Sequence, residues 1–307
     1  MFTIQAPAKI NLALDVLAKR PDGYHEVDMI MQTITLADQL SFELMPDSEI
    51  ELTTNTRLVP DDQRNLIWKA VQLIRTETGC RGGVRIRLNK RIPVAAGLAG
   101  GSSDAAATLK ALNFLWKLGL SLEQLLELGA RLGADVPFCI LQGTARCRGI
   151  GEQLTPIRRH ARSTHRVLLV NPGIAVPTAL IYKRLKLDQI QQHPTIDTAV
   201  AALEQDDLQN LESSWGNLLE AVTCNEFPVV RRVKKYFCDF GLIHNLMSGS
   251  GPSVFALNPP ETIIRPFLQG LPSGWFGYLA DFIDQSFDEK GDRNGTTTSS
   301  PDSVGQL

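Results

Sequence analysis

An α+β fold in two domains is what this sequence of 307 residues predicts. Three observations carry that reading. Some stretches alternate apolar and polar residues with period two, the pattern of half-buried strands, and others repeat apolar residues at helical spacing. The two kinds are mixed without the regular strand–helix–strand succession of a doubly wound parallel sheet. The length suits two domains or one large one.

Taken in order, the first strand lies in KINLALDV, where Ile10, Leu12, Leu14 and Val16 alternate with Asn11, Ala13 and Asp15. Pro21, Asp22 and Gly23 form a turn. Strand-like sequence resumes from about Val27 to Leu44 and again from Glu49 to Thr53. Leu66, Ile67, Ala70, Leu73 and Ile74 recur as on one helix face, and Gly79 ends that helix. GVRIRLNK alternates through Val84, Ile86 and Leu88. Ser121 opens SLEQ, a capping-box pattern, and predicts a helix to about Leu132, broken at Gly133. The basic run IRRHARSTHR, residues 157–166, has little apolar pattern and reads as a solvated linker. VLLVNPG beyond it is a strand, and helices mix with short strands to about Phe287. The expected domains are residues 1–156 and 167–286. Residues 287–307 lack apolar periodicity and are expected to be disordered. No internal repeat is visible.

The hydrophobic share is 43%, the charged share 21% and the net charge −2. This is an ordinary globular balance, with no overall pull toward nucleic acid or an anionic membrane. No apolar run approaches the roughly 20 residues of a membrane span. The N-terminal stretch lacks the basic-then-apolar build of a signal peptide. Five scattered cysteines without a C-x-x-C pair read as reduced thiols of a cytoplasmic protein.

The chemistry concentrates in PVAAGLAGGSSDAAAT, residues 93–108, between a predicted strand and a predicted helix. A small-residue loop opening a helix brings backbone N–H groups close to phosphate. The same composition also serves a tight turn that packs a helix on a sheet, so the loop alone leaves both readings open. It fits neither the Walker A nor the dinucleotide-binding glycine pattern. Three further stretches shift the balance. PAKINL puts Lys9 beside Asn11, LGADVPF puts Asp135 just after a helix end, and MSGSGPSVFAL is a second glycine-serine loop running into a strand. Each has an ordinary explanation singly: an exposed lysine, a turn cap before Pro137, a hairpin. Together, and in this order, they resemble the galactokinase, homoserine kinase, mevalonate kinase and phosphomevalonate kinase superfamily. RPDGYHE narrows the resemblance to the branch whose substrate is 4-diphosphocytidyl-2-C-methyl-D-erythritol. It covers about residues 3–285.

The resemblance implies an N-terminal domain like domain 2 of ribosomal protein S5, a ferredoxin-like C-terminal domain and a cleft between them. It implies transfer of the γ-phosphoryl of ATP to the substrate 2-hydroxyl, with Asp135 as general base and Lys9 as the charge beside it. The ATP loop would comprise Pro93, Val94, Ala95, Ala96, Gly97, Leu98, Ala99, Gly100, Gly101, Ser102 and Ser103. Asn65, Leu66 and Asp104 would face adenine, although Asn65 also reads as a helix N-cap and Asp104 as a first-turn acid. Asn11, Tyr24, His25, Lys90 and Tyr182 would contact substrate, the two tyrosines sandwiching cytosine and His25 reading its polar edge. Mg²⁺ is expected, with Ser103 as a candidate ligand. The family loop often has glycine where this chain has Ala95, Ala96 and Ala99, and alanine disfavours φ > 0. A valine at Gly100 is expected to hurt ATP binding more than folding. The partner is a small cytidyl molecule, with no nucleic acid and no membrane, in a monomer or weak homodimer. The competing readings are a kinase of another small alcohol, such as homoserine or mevalonate, and a non-catalytic relative that binds RNA. Retention of both Lys9 and Asp135 and the lack of a basic stripe weigh against the latter.

Overall fold

A computed structural model describes residues 1–159 and 164–284. The chain begins with two long paired strands, β1 (Phe2–Lys19) and β2 (His25–Met45), then β3 (Ile50–Thr54), helix α1 (Leu66–Thr78) and β4 (Gly83–Asn89). Helices α2 (Gly100–Leu115), α3 (Leu122–Leu132) and α4 (Val136–Leu141) follow, then β5 (Thr144–Gly149) and β6 (Gln153–Pro156). β1 pairs antiparallel along β2, whose other edge carries β4 on residues 39–45 and β5 on residues 27–32. β3 and β4 run parallel, joined through α1.

The second sheet uses β7 (Arg166–Asn171), β8 (Leu246–Met247), β9 (Val254–Leu257) and β10 (Phe276–Asp281). Helices α5 (Thr178–Arg184), α6 (Ile196–Glu204), α7 (Leu208–Ser214), α8 (Leu218–Glu226) and α9 (Pro228–Asp239) lie between β7 and β8, and α10 (Glu261–Gln269) lies between β9 and β10. The order β10-β7-β9-β8, all antiparallel, is fourth-first-third-second. That is the ferredoxin-like arrangement the resemblance implies.

Local signals explain several ends. The capping box at Ser121 is complete, each side chain of the Ser121–Gln124 pair bonding the other's backbone N–H. Gly79 closes α1 in the left-handed region at φ 70°, where a Cβ would be disfavoured.

One core lies wholly in the first half. Leu40, Phe42, Val84 and Ile86 of the sheet pack against Ile67, Ile74, Leu109 and Leu112 of α1 and α2. The other two cores cross between the sheets. Ile10 and Leu12 pack with Val167, Leu169 and Phe255, and Leu14 and Val16 pack with Leu168, Val170 and Phe237. β1 was expected to be half-buried, yet residues 6–16 are all buried, because the second sheet and its helices cover what would otherwise face water.

Of the expected solvated linker, 157–166, residues 160–163 lie outside the described residues; Arg158 and Thr164 are exposed, as expected, while others are not. Ile157 belongs to a shared core. The Arg159 side chain is 3% exposed and reaches Asp206 at 2.8 Å and Asp284 at 2.9 Å. His165 Nε2 lies 2.6 Å from the same Asp206 carboxylate. Arg159, His165 and Asp206 are thus largely buried and paired, with Asp284 reaching in from a more exposed position. The expected disordered tail, 287–307, lies outside the described residues.

Candidate active site

The glycine-rich loop connects β4 to α2, and its geometry follows from where its carbonyls point. Ala95 O accepts from Val176 N at 3.2 Å, and Leu98 O accepts from Lys9 N at 3.2 Å. Gly97 O accepts from Lys9 Nζ at 3.3 Å and from Ser248 Oγ at 2.9 Å. In a trans peptide the next N–H points the opposite way, so these inward carbonyls turn the following N–H groups outward. Among the described residues, none of the N–H groups from Ala96 to Ser102 has a protein acceptor. A run of unpartnered N–H groups at the start of a 16-residue helix is an arrangement that can hold an anion.

Alternate loop residues sit in the left-handed region: Ala95 at φ 52°, Gly97 at 76° and Ala99 at 54°. Alanine's preference against φ > 0 is thus overridden at two of the three positions. The inward hydrogen bonds and the buried side chains of Ala96 and Leu98 hold the turn against a strain of about 1–2 kcal/mol per alanine.

Lys9 is 5% exposed on β1. Its ammonium donates to Asn11 Oδ1 at 2.7 Å and lies 3.7 Å from the Asp135 carboxylate. Asp135 sits at the head of α4, its side chain 31% exposed and making no N-cap hydrogen bond. The lysine is therefore aimed where loop and carboxylate meet. Asn11 is fully buried, with its backbone N–H on Ser248 Oγ and its Nδ2 on Met29 Sδ. It orients Lys9, and its amide oxygen and nitrogen both have partners within the protein.

The second glycine-serine loop braces the first. Ser248 joins Asn11 N and Gly97 O, and Asn217 Nδ2 donates to the carbonyls of Met247 and Gly249 at 2.7 Å each. Neither Ser248 nor Asn217 was among the sequence candidates.

Several candidates have other partners. Ser103 is 1% exposed and donates to Pro7 O at 2.7 Å, so its hydroxyl is directed into the protein, away from the metal site expected of it. Asn65 Oδ1 accepts from Ile67 N at 2.9 Å as the N-cap of α1, and its Nδ2 donates to Pro60 O. Leu66 is half-buried beside Gly101. A cavity of about 490 Å³ lined by Thr54, Asn55, Arg57 and Arg64 opens on the chain just before these residues; neither Lys9 nor Asp135 lines it.

Lys90 and Asp104, expected on substrate and adenine, are bound to each other. Lys90 Nζ donates to Asp104 Oδ2 at 2.9 Å and to Asp38 Oδ2, with all three side chains at most 6% exposed. Burial pushes the Asp104 carboxyl up to about 7, opposed by Lys90 and helped by Asp38. Two carboxylates share one lysine, so the cluster is one negative charge in excess when both are ionised. A folded-state value above the unfolded one means stability that is full below about pH 4 and lost as pH rises through about 7. Asp104→Asn is expected to melt higher than the parent above pH 7 and to flatten the fall in melting temperature between pH 4 and 7. Unchanged pH profiles of melting would contradict this reading.

On the turn between β1 and β2, Tyr24 is 60% exposed. His25 and Tyr182 lie ring to ring at 5.0 Å, tilted by 36°. Burial lowers the His25 value, with Lys19 adding to it. Burial and then the Asp135 charge raise the Tyr182 phenol. The ring that lies against Tyr182 is His25, and no ring contact between Tyr24 and Tyr182 is made among the described residues.

All five cysteines are free. Among the described residues no helix is long and apolar enough to cross a membrane.

Residues 65–143 match the family described as GHMP kinases N terminal domain. A 4-diphosphocytidyl-2-C-methyl-D-erythritol kinase of Geobacillus thermodenitrificans is 49% identical, over 88% of this chain and 92% of that protein. The Bacillus subtilis protein of the same name is also 49% identical, over 87% and 91%. A crystal structure of 4-(cytidine 5'-diphospho)-2C-methyl-D-erythritol kinase superposes with a TM-score of 0.78 at 34% identity, over 92% of this chain and 99% of that one.

Proposed function

The chain belongs to the 4-diphosphocytidyl-2-C-methyl-D-erythritol kinase family, within the GHMP kinases, and from that premise we propose how its residues divide the reaction. The enzyme is an ATP-dependent kinase of that cytidyl substrate. The γ-phosphoryl passes to the substrate 2-hydroxyl, giving ADP and the 2-phosphate.

The observation that carries the assignment of roles is the meeting of Lys9, Asp135 and the outward N–H groups of the 96–102 loop. Phosphoryl transfer runs through a loose transition state, so positioning and charge neutralisation do most of the work. The loop N–H groups cradle the phosphates. The Lys9 ammonium, fixed by Asn11 and Gly97 O, offsets charge on the moving group. Asp135 accepts the hydroxyl proton late in the transfer.

Mg²⁺ accompanies the nucleotide. No group of three or more His, Cys, Asp or Glu among the described residues could hold a metal, and Ser103 is committed to Pro7. This fits an ion carried on phosphate oxygens and water, as Mg²⁺ commonly is. It would screen phosphate charge there. Adenine would enter near Leu66 and the cavity before α1. Five free thiols suit a cytoplasmic setting.

Cytosine would rest against the His25–Tyr182 pair, with Tyr24 closing from the turn. A base stacked on an aromatic ring is worth about 1–3 kcal/mol. Tyr182→Ala is therefore expected to raise the KM for the cytidyl substrate about ten- to a hundredfold with ATP parameters nearly fixed. An unchanged substrate KM would remove the stacking role. The assignment as a whole is tested by coupled detection of ADP with purified protein, ATP, Mg²⁺ and the cytidyl substrate, against homoserine and mevalonate. Turnover of either alternative at a comparable kcat/KM would overturn it.

A further inference from the structure

The loop that receives ATP is held at both ends by one buried ion cluster. Asp38, on β2, was not among the sequence candidates, yet it is fully buried. Its Oδ1 accepts from the N–H groups of Arg91 at 2.6 Å and Ile92 at 2.9 Å, the two residues that lead into Pro93. Its Oδ2 takes the Lys90 ammonium. That ammonium then reaches Asp104 Oδ2 at 2.9 Å, in the first turns of α2. The entry of the loop at 90–92 and its exit at 104 are thereby fixed to the same strand of the sheet.

The position of the ammonium also accounts for Gly100. A Cβ there would lie 3.0 Å from Lys90 Nζ and 3.1 Å from Ile92 Cγ2. The glycine at the helix start leaves room for the charged head beneath it. The valine at Gly100, expected from the sequence to hurt ATP binding more than folding, would strike this cluster as well.

The geometry points to Asp38 as a positioning residue for ATP, acting through Lys90 and Asp104 to keep the phosphate loop in its binding shape. Asp38 and Lys90 touch neither nucleotide nor cytidyl substrate in this assignment. They set the fraction of molecules whose loop is competent, and apparent affinity scales with that fraction. This role rests on the ATP-binding reading of the loop.

Asp38→Asn keeps the acceptor for Arg91 and Ile92 but turns an amide toward the lysine. Lys90→Met removes the tie and keeps the bulk. Both are to be compared with the parent, in the full chain, by direct titration with a non-hydrolysable ATP analogue, by steady-state KM for each substrate, and by amide hydrogen exchange. The expected result is a weakening of analogue binding by about tenfold or more, a matching rise in the ATP KM, a smaller change in the cytidyl KM, and faster exchange confined to residues 91–103. If Asp38→Asn fails to fold, Lys90→Met carries the test. Analogue affinity within twofold of the parent in a folded variant would overturn the proposal. So would a rise in the cytidyl KM alone, which would make Lys90 a direct substrate contact. Failure of the kinase reading is separate: the parent would bind the analogue without turning over the cytidyl substrate, and the affinity comparison would still decide the role of Asp38.

Discussion

Asp135→Asn is expected to lower turnover about 10²–10⁴-fold with ATP affinity and melting temperature close to the parent. The kinetic part follows from chemistry: the amide keeps the size of the side chain but cannot take a proton. The stability part follows from geometry. Asp135 heads α4, but its side chain makes no capping hydrogen bond, so the helix loses nothing when the carboxylate goes. Among the described residues its one charged contact is with Lys9 at 3.7 Å, and Lys9 stays anchored by Asn11 and Gly97. The two alternatives give distinct results. A turn-capping residue would lose melting temperature with little change in rate. A general base loses rate, and loses it at the chemical step, so single-turnover phosphoryl transfer should fall as far as kcat. Near-normal single-turnover rates in the asparagine variant would remove Asp135 from the chemistry.

Much of this was legible in the sequence because the signals were local. The capping box at Ser121 and the helix stop at Gly79 are written within a few neighbouring residues, and both are present as read. What escaped was set by distant partners. Asp38 stands at an inward position of the alternation Ile34, Leu36, Asp38, Leu40, Phe42, and an acid in such a place must be paired; that phase was the available sign. Its lysine is 52 residues away in sequence. Lys90 and Asp104 each had an attractive surface role when taken alone, and only their contact assigns them to each other. Arg159 looked solvated because the charges around it are close in sequence, whereas Asp206 and Asp284, which bind it, lie far along the chain. Ala95 and Ala99 adopt a backbone that alanine disfavours. Local propensity gave way there to hydrogen bonds from β1 and the second loop.

Gly97 and Gly101 separate the two demands on the loop, and opposite outcomes are expected from them. At Gly97 a Cβ would stand 2.1 Å from Ser248 O and 3.1 Å from Gly251 N, at φ +76°. The near atoms are backbone of the second loop, itself tied to Asn217, so no side chain can swing away. Gly97→Ala is expected to part the two loops and cost on the order of 3 kcal/mol of stability, with ATP binding and turnover falling together. At Gly101 the nearest atom to a Cβ is Leu66 Cδ1 at 3.7 Å, and the residue is exposed at an ordinary helical position. Valine there exchanges a poor helix former for a better one, so melting should hold or rise slightly. Its branches, however, would point toward Leu66, into the path proposed for the nucleotide. Gly101→Val is therefore expected to raise the ATP KM by tenfold or more, roughly the effect of losing 1.4 kcal/mol of binding, with the cytidyl KM little changed. Thermal melts and ATP titrations of both variants provide the check. If Gly101→Val binds ATP as the parent does, the outward N–H groups of this loop do not face the nucleotide, and the loop is a packing turn of α2 on the sheet.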